Sequence, residues 1–237
     1  MSLRASVRAM FLVLCVGQLW AGCNSLDEDT PDRLDFALPT VSWTISTDDP
    51  QWRASPPRDA ATPGFVCAGP EVLPGADCCA PPLDCQEYPF ACDPNSNFCA
   101  LTFDVDLAET VLLAEQVQAL AAARGRAFAR VELLALATNV DKPDGLPIRA
   151  ASLFIGPEDL ATSSDPSAVL LASVALVKGS FAAPLEGAGA RAFAGFAQEY
   201  QTPFSLLLSA HVVVPNGAVV PSGMVQVTAT GQARGYY

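Results

Sequence analysis

Two lysines, Lys142 and Lys178, and one histidine, His211, are all that this 237-residue chain holds of those residue types. Its 25 acidic residues outnumber 13 lysines and arginines, for a formal net charge of −12. So little positive charge argues against nucleic acid, whose phosphates demand basic contacts, and against electrostatic docking on anionic lipid. With one imidazole, a Ser-His-Asp triad would have to be built on His211. No phosphate-cradling glycine loop, dinucleotide fingerprint, Gly-x-Ser-x-Gly elbow or basic aromatic patch is present. The N-terminal apolar run, Ala9 to Gly17, falls far short of the roughly 20 residues that span a bilayer.

What stands at the N-terminus points to a compartment. Arg4 and Arg8 precede that apolar run and Gln18 ends it, so residues 1–22 read as a signal peptide. The residues Leu19-Trp20-Ala21-Gly22-Cys23 resemble the lipobox of bacterial lipoproteins. There a small residue precedes a cysteine that is acylated and becomes the new N-terminus. Trp20 stands where the motif usually carries Leu, Val or Ile. Cleavage after Ala21 by the ordinary signal peptidase, with plain secretion, is the alternative. The resemblance implies lipid attachment at Cys23, with several acyl chains that anchor more firmly than one. Asn24 is not the Asp of an inner-membrane retention signal, so the implied address is the outer membrane, on its periplasmic or surface face.

The cysteine count agrees with that address. Of eight cysteines, Cys15 leaves with the signal peptide and Cys23 would carry the lipid. Cys67, Cys78, Cys79, Cys85, Cys92 and Cys99 remain, an even set for disulfides in an oxidising space.

Composition divides the mature chain into three parts. Residues 23–62 read as a disordered tether, acidic and proline-rich, which like charge keeps solvated and extended. Within it Val41-Ser42-Trp43-Thr44-Ile45 alternates like a short strand, either docked on a folded part or standing alone. Residues 63–100 hold the six cysteines among Pro, Gly, Asp and Asn. So short a stretch cannot bury a self-sufficient core, and disulfides are the usual remedy. Three bridges admit 15 connectivities, and adjacent Cys78 and Cys79 are expected to pair elsewhere. A zinc module is the rival, but it lacks histidine and paired Cys-x-x-Cys spacing.

Residues 101–237 read as mainly β. Strands are predicted at 101–107, 127–138, 148–155, 169–178, 203–214 and 223–233. Turn chemistry separates them at Pro143-Asp144-Gly145, Gly156-Pro157, Asp165-Pro166, Pro215-Asn216-Gly217 and Pro221-Ser222-Gly223. Leu113, Val117 and Leu120 fall at helical spacing and predict one amphipathic helix ending near Gly125. A second helix is predicted near 189–200, where Phe193, Phe196 and Tyr200 share a face. The sum is an antiparallel β-sandwich with one or two short helices.

The strand ending in Asn139, then Leu146-Pro147 and Leu153-Phe154-Ile155-Gly156-Pro157, resembles a group of uncharacterised exported bacterial lipoproteins. Thr202-Pro203-Phe204 and Val214-Pro215 through Val220-Pro221-Ser222-Gly223 fit the same pattern. That group is distantly similar to the water-stress and late-embryogenesis-abundant sandwich. The resemblance covers roughly 101–237 and implies a fold and a location, but no catalytic residue.

Several constellations invite a chemical reading. His211 lies in a strand pattern and reads as structural. Asp93-Pro94-Asn95-Ser96-Asn97 begins like a calcium loop, but Phe98 would stand where such a loop needs glycine, so a turn is the better account. Asn139, Asp141 and Asp144 read as turn formers. Asp104 and Asp106 share one strand face, as solvated carboxylates commonly do, and Cys78-Cys79 reads as structural rather than redox-active. No cofactor and no catalytic residue is expected. The expected function is that of a non-catalytic, membrane-anchored exported lipoprotein, a binding or scaffolding module for an envelope or extracellular protein partner. A carrier of a small apolar ligand is the first alternative and a secreted hydrolase the last.

Overall fold

The computed structural model describes residues 33–48, 90–93, 98–123, 125–141, 148–215 and 223–237. Ten strands occur among them: β1 (Arg33–Ala37), β2 (Val41–Ser46), β3 (Phe90–Asp93), β4 (Phe98–Val111), β5 (Arg130–Asp141), β6 (Ala150–Pro157), β7 (Val169–Ala175), β8 (Gly179–Ala182), β9 (Phe204–Pro215) and β10 (Met224–Tyr236). A four-residue helix α1 (Leu113–Gln116), a 3-10 turn (Gln118–Ala123) and helix α2 (Gly187–Gln198) complete the order.

Alternation along β10 explains the first sheet. Val225, Val227, Ala229 and Ala233 are buried while Met224, Gln226, Thr230 and Gln232 face out. On one edge β10 pairs with β5; on the other it takes β2 and β1 end to end. β8 completes the sheet beyond β5. The second sheet runs β3-β4-β9-β6-β7, and every pairing in both sheets is antiparallel. The two sheets form a sandwich, as the turn spacing predicts. Its interior takes Trp43, Ile45 and Val140 from the first sheet and Leu153, Leu208 and Val212 from the second.

Residues 33–46, which charge and proline content place in a tether, are two strands of the first sheet. Val41, Trp43 and Ile45 point inward and their polar neighbours outward, so the alternation outweighs the acidic surroundings. Thr47 extends the pairing: its hydroxyl donates to the Gly223 carbonyl (2.8 Å) and accepts from the Gly223 amide (2.7 Å). The rest of the stretch assigned to the tether lies outside the described residues.

Two further elements differ from expectation. Leu113, Val117 and Leu120 are buried, yet the chain breaks at Val117 into a short α-turn and a 3-10 turn. Their spacing foretold burial, which two turns achieve as well as a helix. The strand predicted over 169–178 ends at Ala175. Leu176 is buried, Val177 is exposed, and Gly179 takes φ 136°, a conformation glycine adopts freely. The chain there crosses from β7 in the second sheet to β8 in the first.

Helix α2 packs against β5 of one sheet and β7 and β6 of the other, closing a side of the sandwich. Phe193 is buried and meets Phe204 edge-on at 6.2 Å, while Phe196 stacks on the same ring at 5.6 Å. The approach to β7 is close enough to require glycine. A Cβ on Gly189 would lie 2.3 Å from the Leu170 carbonyl oxygen and 2.4 Å from the Leu171 Cα. Gly195, on the same helix, has nothing within 4 Å of such a carbon. Gly195→Ala is therefore expected to stabilise the fold by about 0.5–1 kcal/mol through helix propensity. Gly189→Ala is expected to destabilise it by about 1–3 kcal/mol, because backbone must move to admit the methyl. Chemical denaturation of both variants checks the opposite signs.

Candidate functional site

The residues singled out for chemistry meet on the outward face of the second sheet. Register on β4 and β9 sets Asp104 opposite His211 and Asp106 opposite Ser209, while β6 brings Ser152 beside Ser209. His211 Nδ1 and Asp104 Oδ1 lie 2.7 Å apart, and both side chains are more than half exposed. A carboxylate on Nδ1 orients an imidazole as in a triad, leaving the other ring nitrogen for a nucleophile. The hydroxyls of Ser209 and Ser163 serve other partners. Ser209 donates to the Ser163 hydroxyl at 3.1 Å, and Ser163 donates from both its amide and its hydroxyl to Asp106 Oδ2, at 3.1 and 3.3 Å.

Those bonds fasten the loop 158–168 over the sheet. Leu160 is buried against Gly156, where an added Cβ would come within 2.9 Å of its methyl group. Ser205 donates to the Glu158 carbonyl at 2.7 Å. The loop covers Leu207, which is fully buried although it points away from the sandwich interior. The sequence carried a signal for this cover. In Leu206-Leu207-Leu208 one leucine must face outward, and an outward leucine needs something over it. Asp165 shapes the loop by accepting from the Ser167 amide and hydroxyl, at 2.8 and 2.7 Å, which hold its carboxyl below the usual range.

The outward face of the first sheet has no such cover among the described residues. Ser42, Thr44, Asn139, Gln226 and Thr230 are exposed there, and Thr228 is half-buried. Ser42 and Thr228 bond across strands at 3.2 Å, and Ser180 donates to Asn139 at 2.8 Å. Charge gathers at one end. Arg234 bonds Asp35 through two nitrogens at 2.5 and 2.9 Å, holding that carboxyl below its usual range while its own pKa is raised. Arg130 lies 3.0 Å from Glu132 and 4.3 Å over the Tyr236 ring, and Tyr236 donates to Glu132. Sequence reading did not single out this face, although the polar alternate positions of β2 and β10 outline it.

Between the sheets a partly open apolar pocket of about 20 Å³ is lined by Leu38, Val41, Leu113, Phe193, Phe204 and Leu206 among others. A cleft of about 210 Å³ opens between Gly125, Ala127 and the stretch 198–202, beside Tyr200, whose buried hydroxyl has no partner among the described residues.

Asn139 and Asp141, expected as turn formers, are strand residues of β5. Asn139 accepts from Ser180, and Asp141 lies 3.7 Å from Lys178. They sit at alternate outward positions, where polar side chains remain solvated without a turn. Asp144, the cysteines Cys23, Cys67, Cys78, Cys79 and Cys85, and residues 94–97 of the expected turn lie outside the described residues. Cys92 falls in β3 and Cys99 in β4. Among the described residues no three His, Cys, Asp or Glu side chains converge as a metal site would require, and no helix is long and apolar enough to cross a membrane.

No family model matches the chain, and no curated relative does. Among solved structures, turnip yellow mosaic virus is similar at 12% identity over 58% of this chain and 91% of that one, with a TM-score of 0.25. A structure of carbohydrate-binding modules from the β-sandwich superfamily is similar at 10% identity over 86% of this chain and 57% of that one, with a TM-score of 0.24. Desmodium yellow mottle tymovirus is similar at 15% identity, over 58% and 85%, with a TM-score of 0.19. Likenesses this slight carry no argument about activity or partner.

The serine network and the imidazole–carboxylate pair make a contrast that can be measured. Ser163→Ala is expected to cost about 1–2 kcal/mol, because Asp106 and Ser209 lose a partner in a partly buried place. His211→Ala is expected to stay within about 0.5–1 kcal/mol, since its pair with Asp104 is exposed. Denaturant midpoints at neutral pH check the order. Acid should loosen the loop as well. The depressed Asp165 pKa contributes stability above the ordinary carboxylate range and loses it as pH falls through the folded value.

Proposed function

We propose that this chain is an exported, lipid-anchored envelope protein whose sandwich is a non-catalytic binding or scaffolding module. The observation that carries the module is the contrast between its interior and its two outward faces. Among the described residues the apolar pocket between the sheets, about 20 Å³, has room for about one water molecule, which favours a binding module over a carrier with an internal pocket. One outward face is fastened under the loop 158–168, and there the serine protons run to Asp106 and Ser163 rather than to His211. That arrangement favours fastening over hydrolysis. The other outward face has no cover among the described residues and is hydrogen-bonding, with charge paired at one end, and it is the surface we assign to a protein partner.

Location rests on the N-terminal residues. Arg4, Arg8, the run from Ala9 to Gly17 and the lipobox-like Leu19–Cys23 support export and acylation at Cys23, with Asn24 favouring the outer membrane. The likeness of residues 101–237 to exported bacterial lipoproteins belongs to the same proposal. Strand β1 opens at Arg33, ten residues beyond Cys23. An extended chain of that length reaches at most about 36 Å, so the lipid would hold the sandwich near the bilayer, with its Arg33–Tyr236 end closest.

Fractionation of the native host tests the anchor. The parent protein is expected to stay with membranes through a salt wash and to show an intact mass beginning at Cys23 with added acyl groups. Cys23→Ala is expected in the soluble exported fraction. Retention of that variant on washed membranes would overturn the assignment.

A further inference from the structure

Strands β3 and β4 form an antiparallel pair in which Cys92 stands directly opposite Cys99, between the register pairs Ala91↔Ala100 and Asp93↔Phe98. We propose that Cys92 and Cys99 are joined by a disulfide, forming a covalent rung between the edge strand β3 and the sheet. The inference rests on the reading of the chain as an exported protein and deepens it, because sequence alone leaves the pairing of six cysteines open.

Register carries the argument. Directly opposed residues of an antiparallel pair have Cα atoms about 4.5 or 5.5 Å apart, depending on their place in the hydrogen-bond pattern. Both separations fall in the roughly 4.4–6.8 Å that a disulfide spans, and opposed residues share a face of the sheet. The edge strand also has need of a fastening. β3 is four residues long and among the described residues pairs with β4 alone, whereas β4 is 14 residues long and pairs along most of its length with β9. The pairing leaves Cys67 and Cys85 to take Cys78 and Cys79, in one order or the other, since neighbouring cysteines are poorly placed to join. The Cys-rich stretch would then be welded to the second sheet at its C-terminal end.

The chemistry is ordinary dithiol oxidation. The Cys92 thiolate attacks the disulfide of an exported thiol oxidant, forming a mixed disulfide and releasing one thiol of the oxidant. The Cys99 thiolate then displaces the second, closing the Sγ–Sγ bond. Two electrons pass to the oxidant, which leaves as a dithiol, and the two protons lost by the cysteines are taken up by its sulfurs through solvent.

Peptide mapping of the full-length exported protein decides the matter. Free thiols are alkylated at the moment of lysis, and the unreduced chain is cut after Glu87 and before Asp93 and Asp104. These cuts isolate Tyr88–Cys92 and Asp93–Phe103, each with one cysteine. The expected species is these two peptides joined, unlabelled until reduction and fully labelled after it. In Cys92→Ser the thiol expected to become free is Cys99, while the other four stay protected. Either peptide joined to one bearing Cys67, Cys78, Cys79 or Cys85 would overturn the pair and leave the exported reading standing. Six thiols labelled without reduction would overturn both.

Discussion

The first sheet depends on β10, the strand that ties the two ends of the described chain together. Its 13 residues accept β5 along one edge and β2 and β1 in succession along the other. The upstream partners are distant. The Ser42–Thr228 bond spans 186 positions and the Asp35–Arg234 bond spans 199. Closing so long a loop costs conformational entropy that grows with the logarithm of its length, and burial of Val41, Trp43, Ile45, Val225 and Val227 offsets it. Non-local pairing of this kind slows folding, because the rewarding contacts come only after the ends have met. The same pairing brings the start of β1 and the end of β10 to one end of the sheet, with Arg33 opposite Tyr236.

The remaining edges are managed by different devices. The edge at β7 is covered by α2, which reaches across to β5 and is admitted by the missing side chain of Gly189. The edge at β8 is short and carries an exposed phenylalanine, Phe181, with Lys178 and Asp141 beside it. The edge at β3 is shortest in proportion to the strand that supports it. Exposed edges invite pairing with other chains, so cover and brevity are two answers to one hazard. The outward faces are divided in the same spirit: a loop seals the second sheet, where leucines point both ways, and polar side chains line the first.

Local pattern made much of this legible. Alternation placed β2, β9 and β10 as strands, whereas Gly156-Pro157, expected as a turn, is the paired end of β6, and the turns expected at 143–145, 215–217 and 221–223 fall largely outside the described residues. Arg33-Leu34-Asp35-Phe36-Ala37 escaped notice because its charges resemble those of the acidic segment around it, and only its partner on β10 makes it a strand. The break at Val117 and the crossing after Ala175 escaped for a related reason: apolar spacing reports burial, not the backbone that achieves it. In the candidate site, His211, Asp104 and Asp106 were visible as isolated residues. Their pairing across 107 positions depends on strand register, and Ser163 has no local mark that would associate it with Asp106.

By itself the sequence determined the class of fold and most of the strands, because each of these is written in residues close together. Tertiary structure alone decided which strand lies beside which, that residues 33–46 belong to the sandwich, which face is covered, and that Cys92 stands opposite Cys99. Such facts compare residues far apart in the chain. They arise when backbone hydrogen bonds choose one register and the apolar faces close against each other, so no short window of sequence contains them.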